Sequence, residues 1–428
     1  MNRFILLSIA IVATLFTFDA FADDWPQFRF DAGRTAASTE ELPSELHLQW
    51  VRELAPPAPA FPRNVRLEFD TSYEPVVLGQ TMFVPSMITE SVTALDTATG
   101  EVRWRFFAEG PVRFAPAAWQ DKVYFVSDDG FLYCLDAADG KLRWKFRGLP
   151  ADKEDRTLLG NGRLTSLWPA RGGPVLRDGV VYFAAGLWPA DGVFVHALNA
   201  ETGKIVWSNT DSNHIPGANQ DHGIAQYAGL TPQGYLAIVN DKLVVPCGTQ
   251  LPALLNLETG GLEPYYMGWG GRDGLPKGTW FVAGSGKYLC QSGDLYDLSR
   301  PNDEQFRDSR GRNDFKSELY TGGFTRLRID KTNHKDIGRF AQPVFTPEAF
   351  YENDGGITAH DLTSLRMTPR GEADIPANRQ DDTYPDRFTG VFRDSWKLPS
   401  KLQVHIKAGD RLFCAGTGTV AAVRIPKE

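Results

Sequence analysis

The chain has 428 residues, a formal net charge of −8 and 42% hydrophobic residues. This length is enough to bury a large core, in one repeat domain or in two ordinary domains. The 41 glycines and the 12% aromatic content are typical of a turn-rich β protein. The acidic balance, with no basic stripe, argues against a general nucleic-acid binder, because that function needs excess Lys and Arg to displace counterions from phosphate.

The N-terminus has the pattern of an export signal. Arg3 supplies a positive charge, residues 4–16 are apolar, and residues 20–22 match a small-residue cleavage site. The apolar run is short for a membrane-spanning helix, so an uncleaved anchor is the less favoured alternative. No cysteine directly follows the cleavage site, so we expect no lipid anchor. We predict a signal peptide over 1–22, a lead-in segment over 23–45, and a bacterial protein that is periplasmic or associated with the cell envelope.

The four cysteines are far apart in sequence, each in a different apparent strand: Cys134, Cys247, Cys290 and Cys414. None has the spacing of a zinc site or a haem attachment site. Export would permit disulfides, but we expect buried thiols that are not joined to one another.

A ten-residue turn motif occurs four times, at 95–104, 135–144, 198–207 and 255–264. Each copy begins Leu-Asp or Leu-Asn and has a glycine four positions after the Asp or Asn; three copies end in tryptophan. The Asp or Asn side chain can bond backbone amides ahead of it, and glycine suits a positive φ. The motif therefore predicts a β-hairpin corner with an aromatic residue on the outgoing strand. Its structural residues are Asp96, Gly100, Trp104, Asp136, Gly140, Trp144, Asn199, Gly203 and Trp207.

Longer units surround the motif, at 74–106, 110–146 and 171–207, with a weaker copy at 229–267. Each reads as four short strands, with no convincing helical stretch between them. Units of roughly forty residues built this way are typical of a β-propeller. We predict an all-β fold, with one propeller domain of four-stranded antiparallel blades over 46–428.

Further blades are expected at 278–340, from 343 onward and at 404–425, which gives seven in all. An eight-bladed ring stays open as an alternative, because the polar stretches 300–318 and 368–390 obscure the pattern. We interpret both stretches as surface loops.

The final unit stops where a turn and a tryptophan strand should follow. Residues 46–54, which contain Trp50, have the look of that missing strand. We therefore predict that this N-terminal strand pairs with the last blade and closes the ring, since closure removes an exposed sheet edge.

The turn motifs, the Val/Tyr/Phe strands before them and the sequence DWPQFRFDAGRTA at 24–36 resemble the pyrroloquinoline quinone (PQQ)-like propeller repeat proteins. That class includes quinoprotein dehydrogenases and BamB-type outer-membrane assembly factors. The resemblance is strong over 72–267 and patchy from 278 onward. It implies that Trp50 and the three motif tryptophans pack between neighbouring blades. It does not decide the function, because the same blade serves enzymes and scaffolds.

Propeller ligands usually lie over the central channel, on loops that enter the inner strands. The candidates at those places are Tyr73, Glu74, Arg113, Trp168, Arg171, Asp221, His222, Gln226, Tyr227 and His405. Among them, Arg113, Trp168, Arg171, Gln226 and Tyr227 are the candidates for binding a cofactor, because arginines can hold carboxylates such as those of PQQ. Asp221 and Glu74 are the catalytic candidates. His214 and His222 are the candidate metal ligands, although their spacing fits no defined metal motif. The alternative is that these polar groups satisfy the backbone or each other.

Two functions compete. The favoured hypothesis is a non-catalytic exported propeller that binds a protein or a cell-envelope polymer, with no cofactor and as a monomer. It is supported by the lack of the adjacent cysteines and the attached haem domain that are common in quinoprotein alcohol dehydrogenases. The alternative is a small dehydrogenase that uses PQQ and calcium to oxidise an alcohol or a sugar.

Overall fold

The computed structural model describes residues 24–43, 45–64, 67–160, 162–214, 229–248, 250–263, 278–291, 294–299, 326–328, 342–353, 356–369 and 388–426. All the named elements in these ranges are β-strands. None of the described segments forms a helix long and apolar enough to cross a membrane. The predicted signal peptide and four of the site candidates, Asp221, His222, Gln226 and Tyr227, lie outside the described residues.

The strands form seven successive sheets and one hairpin within these ranges. The first strand of the chain, β1 (Ala37–Ser38), belongs to the last sheet, sheet 7. Sheet 1 contains β2 (Val76–Leu78), β3 (Thr81–Ser86), β4 (Ser91–Asp96) and β5 (Val102–Phe107). Sheet 2 contains β6 (Ala117–Trp119), β7 (Lys122–Val126), β8 (Phe131–Asp136) and β9 (Leu142–Arg147). The hairpin that follows contains β10 (Thr157–Gly160) and β11 (Arg163–Ser166).

Sheet 3 contains β12 (Gly172–Arg177), β13 (Val180–Ala185), β14 (Phe194–Asn199), β15 (Ile205–Asn209) and, parallel to β12, β16 (Gly234–Tyr235). Sheet 4 contains β17 (Ala237–Val239), β18 (Lys242–Cys247) and β19 (Gln250–Asn256). Sheet 5 contains β20 (Val282–Ser285), β21 (Tyr288–Gln291), β22 (Asp294–Asp297) and β23 (Arg326–Arg328).

Sheet 6 contains β24 (Val344–Phe345), β25 (Ala349–Asn353), β26 (Ile357–Pro369) and β27 (Phe388–Leu398). Sheet 7 contains β28 (Gln403–Ala408), β29 (Arg411–Gly416) and β30 (Thr419–Arg424), with β1 paired to β28. Within each sheet, consecutive strands pair antiparallel, as the hairpin corners predict.

Burial separates the strands of a sheet into inner and outer ones. All five residues of β7 are buried, whereas β5 and β9 have no buried residue and their exposed residues largely alternate with half-buried ones. A strand covered on both faces needs apolar residues throughout, and a strand with one wet face needs alternation. The middle strands therefore lie between neighbouring sheets, and the fourth strands lie at the outside.

The turn motifs join the Trp50 segment and sheets 1 to 4 in succession. A tryptophan lies against the glycine of the next motif in four successive pairs: Trp50 at Gly100, Trp104 at Gly140, Trp144 at Gly203, and Trp207 at Gly260. Their indole N–H groups donate to carbonyl oxygens of the same turns, at 2.9 to 3.2 Å: Thr97, Ala137, Ala200 and Leu257. The glycines have φ between 68° and 73°, so each provides both the left-handed turn and the space for an indole ring.

The lead-in segment bonds to the first part of every described sheet in chain order. These hydrogen bonds join Trp25 to Val77, Pro26 to Ala118, Gln27 to Leu176, Ala32 to Ile238, Gly33 to Gly284, Thr35 to Phe345, and Ala36 to Lys407. The partners belong to β2, β6, β12, β17, β20, β24 and β28. Residues 25–36 therefore bond to the first of the consecutive antiparallel strands in each of the seven described sheets.

Arg34 anchors this segment. Its side chain is fully buried and donates to the carbonyl oxygens of Leu236 at 2.8 Å, Pro174 at 2.8 Å and Phe28 at 3.1 Å. Burial lowers the pKa of Arg34 to about 10, so the guanidinium stays charged at neutral pH. Five donors in a rigid fork suit this task, because several carbonyls must be satisfied at one point.

The predicted closing strand differs from the structure. Residues 46–54 are outside the named strands, and the N-terminal chain instead pairs with sheet 7 through β1, parallel to β28, with Ala37 opposite Lys407. The physical reason is that Trp50 and Arg52 bind the first turn motif: Arg52 Nη1 donates to the Gly100 carbonyl at 2.6 Å. These contacts hold the segment against sheet 1.

The four cysteine thiols are buried and no disulfide joins them, as the sequence predicts.

Candidate functional site

Four buried charges meet at one end of the first strands. Arg113 precedes β6, Arg171 precedes β12, and Asp128 follows β7. Asp70 comes from residues 57–70, which we call the covering segment (residues 65 and 66 are not described). The lead-in segment bonds near the carboxyl ends of the first strands, so this cluster lies at their opposite ends.

Asp128 bridges the two arginines. Its Oδ2 accepts from Arg113 Nε at 2.7 Å and from Arg171 Nη2 at 2.9 Å, and its Oδ1 accepts from Arg171 Nε at 2.7 Å. Asp70 Oδ2 accepts from Arg113 Nη1 at 2.6 Å and from the Ala60 amide at 2.9 Å. Two positive and two negative charges therefore balance in a site where all four side chains are at least nine-tenths buried.

The two carboxylates differ in electrostatic environment. Burial disfavours the charge of Asp128, but Arg171 and Arg113 outweigh that cost, so the pKa of Asp128 is lowered. Burial raises the pKa of Asp70, and Arg113 offsets this only in part. Asp70 Oδ1 and Arg171 Nη1 are the buried atoms of the cluster that no described residue bonds. Asp128 is thus the firmly paired carboxylate, and Asp70 is the less well compensated one.

Aromatic rings surround the cluster and hold the covering segment in place. The rings of Phe69 and Phe114 are stacked with centroids 4.8 Å apart, and Phe114 meets Tyr235 edge-on at 5.0 Å. The Arg171 guanidinium lies 5.7 Å from the ring centroid of Phe61 and 5.9 Å from that of Phe69. These cation–π and stacking contacts stabilise a covering segment that has no strand of its own.

Three other described candidates bond to partners other than the two arginines. Trp168 is buried against Leu149 and Phe194, and its indole N–H donates to the Asp191 carbonyl at 2.7 Å. Glu74 is partly exposed and accepts from Ser72 Oγ at 2.5 Å; burial raises its pKa, although Ser72 and Arg29 oppose this. His214 is exposed in the turn after β15.

The surroundings of the two arginines determine whether the cluster fits a tricarboxylate such as PQQ. Both arginines face Asp128, and Asp70 fills the remaining side of Arg113. A ligand carboxylate would meet two aspartates there, so the cluster as it stands does not fit that cofactor. Among the described residues, no group of three or more His, Cys, Asp or Glu has the geometry of a metal site.

Sequence reasoning selected Arg113 and Arg171 but missed Asp70 and Asp128. A signal for Asp128 exists in the acidic Asp128-Asp129 pair between two strands of sheet 2. No local pattern points to Asp70, because its partner lies 43 residues away.

These features define a class: an all-β propeller-type repeat protein whose tryptophans dock one sheet onto the next. A family model described as "Outer membrane protein assembly factor BamB" matches residues 48–165 and 89–263. The two matches together span half of the chain. The chain belongs to this family of PQQ-like repeat proteins.

Curated relatives match part of the chain. The dehydrogenase subunit of alcohol dehydrogenase (quinone) from Gluconobacter oxydans is 32% identical over 146 residues, which is 31% of this chain and 18% of that protein. Quinohemoprotein alcohol dehydrogenase ADH IIB from Pseudomonas putida is 28% identical over 171 residues, which is 35% of this chain and 21% of that protein. The matched parts therefore represent about a fifth of these relatives.

Solved structures are similar at low identity. A europium-containing methanol dehydrogenase has a TM-score of 0.50 at 16% identity, and the match covers 94% of this chain and 83% of that one. BamB from Moraxella catarrhalis has a TM-score of 0.44 at 15% identity, and the match covers 80% and 81% of the two chains. At 16% identity, the likeness to the methanol dehydrogenase concerns the propeller fold alone.

Proposed function

We propose that this protein is an exported, non-catalytic PQQ-like propeller that binds a protein or a cell-envelope partner. One observation is the main support: the two arginines best placed to hold a carboxylate cofactor are bonded to Asp128 and Asp70. Because Asp70 belongs to the covering segment, a cofactor at Arg113 would have to displace the protein's own chain. The site thus serves to hold loops together, and binding falls to the exposed surface.

The finer architecture is part of the same proposal. Each of the seven described sheets is one blade of a seven-bladed ring, and the lead-in segment closes the ring by bonding to every blade. The export signal over 1–22 directs the protein to the periplasm or the cell envelope.

The test is a titration of the purified mature chain with PQQ, with and without Ca²⁺, followed by calorimetry and absorbance. We expect no saturable binding up to high micromolar PQQ in either condition. Calcium-dependent binding of one PQQ per chain would overturn the proposal. The controls are Arg171→Gln, which removes a cluster arginine, and Arg103→Gln, which removes an arginine bonded to Asp96 outside the cluster. Site-specific binding would be lost in the first variant only.

The second candidate is a PQQ- and calcium-dependent dehydrogenase. The specific observation in its favour is the match to the quinone-dependent alcohol dehydrogenase subunit of Gluconobacter oxydans. In this case the covering segment would have to leave Arg113, and Glu74 or Asp221 would supply the base. A dye-linked oxidation assay with PQQ, Ca²⁺ and a panel of alcohols and sugars tests it. Turnover that is lost in Glu74→Gln or Asp221→Asn would favour the enzyme.

A further inference from the structure

The β10–β11 hairpin stands outside the seven sheets. In the described part of the chain it is a two-stranded unit, with Thr157 opposite Ser166 and Leu159 opposite Leu164. Two-stranded hairpins are marginally stable unless something supports them. Here Leu149, Trp168 and Phe194 pack together at its base, and Arg163 bonds Glu90 of sheet 1 at 2.8 Å near its tip. The hairpin is therefore held at both ends.

The alternation of hydrogen-bonded and non-hydrogen-bonded pairs along the hairpin shows which backbone groups of β10 point away from β11. The Leu167 amide donates to the Arg156 carbonyl at 2.8 Å, so Arg156 and Leu167 are a hydrogen-bonded pair. Such pairs alternate along an antiparallel ladder, so Leu158 and Thr165 are the next one. The N–H and C=O groups of Thr157 and Leu159 must then point away from β11, and no described residue bonds them.

The opposite edge of the hairpin is occupied in part. The Ser166 amide donates to the Asp128 carbonyl at 2.8 Å, which ties β11 to sheet 2. The edge along which no described residue bonds the outward backbone groups is therefore that of β10. A strand edge of this kind can accept an added strand from another chain through main-chain hydrogen bonds.

The side chains beside this edge are apolar. Leu159 is 73% exposed and Leu164 is 64% exposed, and they are directly opposed in a pair that is not hydrogen-bonded. In such pairs the side chains are close together, so the two leucines form one apolar strip. An added strand would cover the strip with every second side chain.

The net charge of the chain, −8, favours a basic partner. Beside β10, Asp152 and Glu154 are exposed and form no ion pair with a described residue, Lys153 lies 5.8 Å from the Trp168 ring centroid, and Arg156 is exposed. The chain as a whole is acidic, which disfavours pairing of two copies through this edge.

We propose that the β10 edge binds an extended segment of a partner protein, with alternating apolar residues and basic residues that face Asp152 and Glu154. The segment forms main-chain hydrogen bonds with Thr157 and Leu159 and covers the strip of Leu159 and Leu164. This inference rests on the proposed binding function and names the class of partner.

The test uses two acetylated and amidated eight-residue peptides of equal composition. One alternates valine and lysine, and the other has four valines followed by four lysines. Binding is measured by fluorescence anisotropy, and backbone protection by hydrogen exchange of the intact protein. We expect saturable binding of the alternating peptide, at least tenfold weaker binding of the block peptide, and slower exchange of the Thr157 and Leu159 amides.

Leu159→Pro is the informative variant. It removes an N–H that the hairpin ladder does not use, so we expect the variant to fold and to lose at least tenfold in affinity. Leu159→Thr keeps the backbone N–H donor and removes only apolar area, so its peptide affinity should fall less than that of Leu159→Pro. Leu142→Thr, at an exposed leucine on β9, should bind as the wild type does.

Equal binding of the two peptides, unchanged exchange at Thr157 and Leu159, or full binding by a folded Leu159→Pro would overturn the inference. If Leu159→Pro does not fold, the exchange measurement on the wild type decides alone. The result is independent of the PQQ titration: cofactor binding refutes the proposed function, whereas a failed strand addition refutes only this site.

Discussion

The docking of Trp104 on Gly140 predicts a large effect of a single methyl group. A Cβ at Gly140 would lie 2.6 Å from the Trp104 indole, a separation at which one of the two must move. The residue also has φ of 73°, where a Cβ costs about 1 to 2 kcal/mol by itself. Overpacking adds about 1 to 3 kcal/mol. We therefore expect Gly140→Ala to lower the free energy of unfolding by about 2 to 5 kcal/mol.

Gly418→Ala is the matched control. Gly418 has φ of 69° but nothing within 4 Å of its Cβ position, so only the backbone cost of about 1 to 2 kcal/mol applies. Urea unfolding, followed by far-UV circular dichroism, measures both variants. A double-mutant cycle with Trp104→Leu then isolates the contact, because the smaller side chain should restore about 1 to 3 kcal/mol to Gly140→Ala. If Gly140→Ala costs the same in both backgrounds, the argument from indole packing is refuted.

Three further results are expected. Burial lowers the pKa of His196 to about 4, so the unfolded state binds a proton at a higher pH than the folded state. The free energy of unfolding should therefore fall by about 2 to 3 kcal/mol between pH 6.5 and pH 4, and urea unfolding of His196→Leu should lack that part of the pH dependence. The hydrogen bond from Arg103 helps to hold the pKa of Asp96 at about 2, so a carboxyl NMR titration should show a higher Asp96 pKa in Arg103→Gln. The Asp96 pKa should not change in the control Arg105→Gln, because Arg105 bonds Thr93 instead. Burial raises the pKa of Cys134 to about 12, so its thiol should react with a disulfide reagent at pH 8 only after unfolding, and rapid reaction in the native protein would contradict this.

The hairpin corners were accessible from the sequence because their causes are local. An Asp or Asn at the end of a strand and a glycine four positions later specify the turn without reference to the rest of the chain. Asp96 Oδ1 indeed accepts from the amides of Ala98 and Thr99, both at 2.9 Å. The copies with Asp also have an arginine seven positions on, at Arg103 and Arg143, which bonds that Asp. The seven-residue spacing of this charge pair is visible in the sequence.

Long-range pairing was harder to predict. The arginine candidates at 113 and 171 were found because they precede repeated strands, but Asp70 is in a segment without a repeat. The difference between the expected closing strand at 46–54 and the observed strand β1 also has a long-range cause. Both segments are short, and which of them pairs with sheet 7 depends on contacts distant in sequence: Trp50 bonds Thr97, and β1 pairs with β28.

The path of the lead-in segment has a consequence for how the protein forms. Residues 25–36 are synthesised early, yet their last backbone partners are Phe345 and Lys407, more than 300 residues further along the chain. The segment must therefore keep part of its hydrogen-bonding capacity unused until sheets 6 and 7 exist. Contacts so distant in sequence are acquired slowly. Completion of these contacts should thus be a late and cooperative event, and chains that stop before sheet 7 should leave the lead-in segment open to the wrong partners.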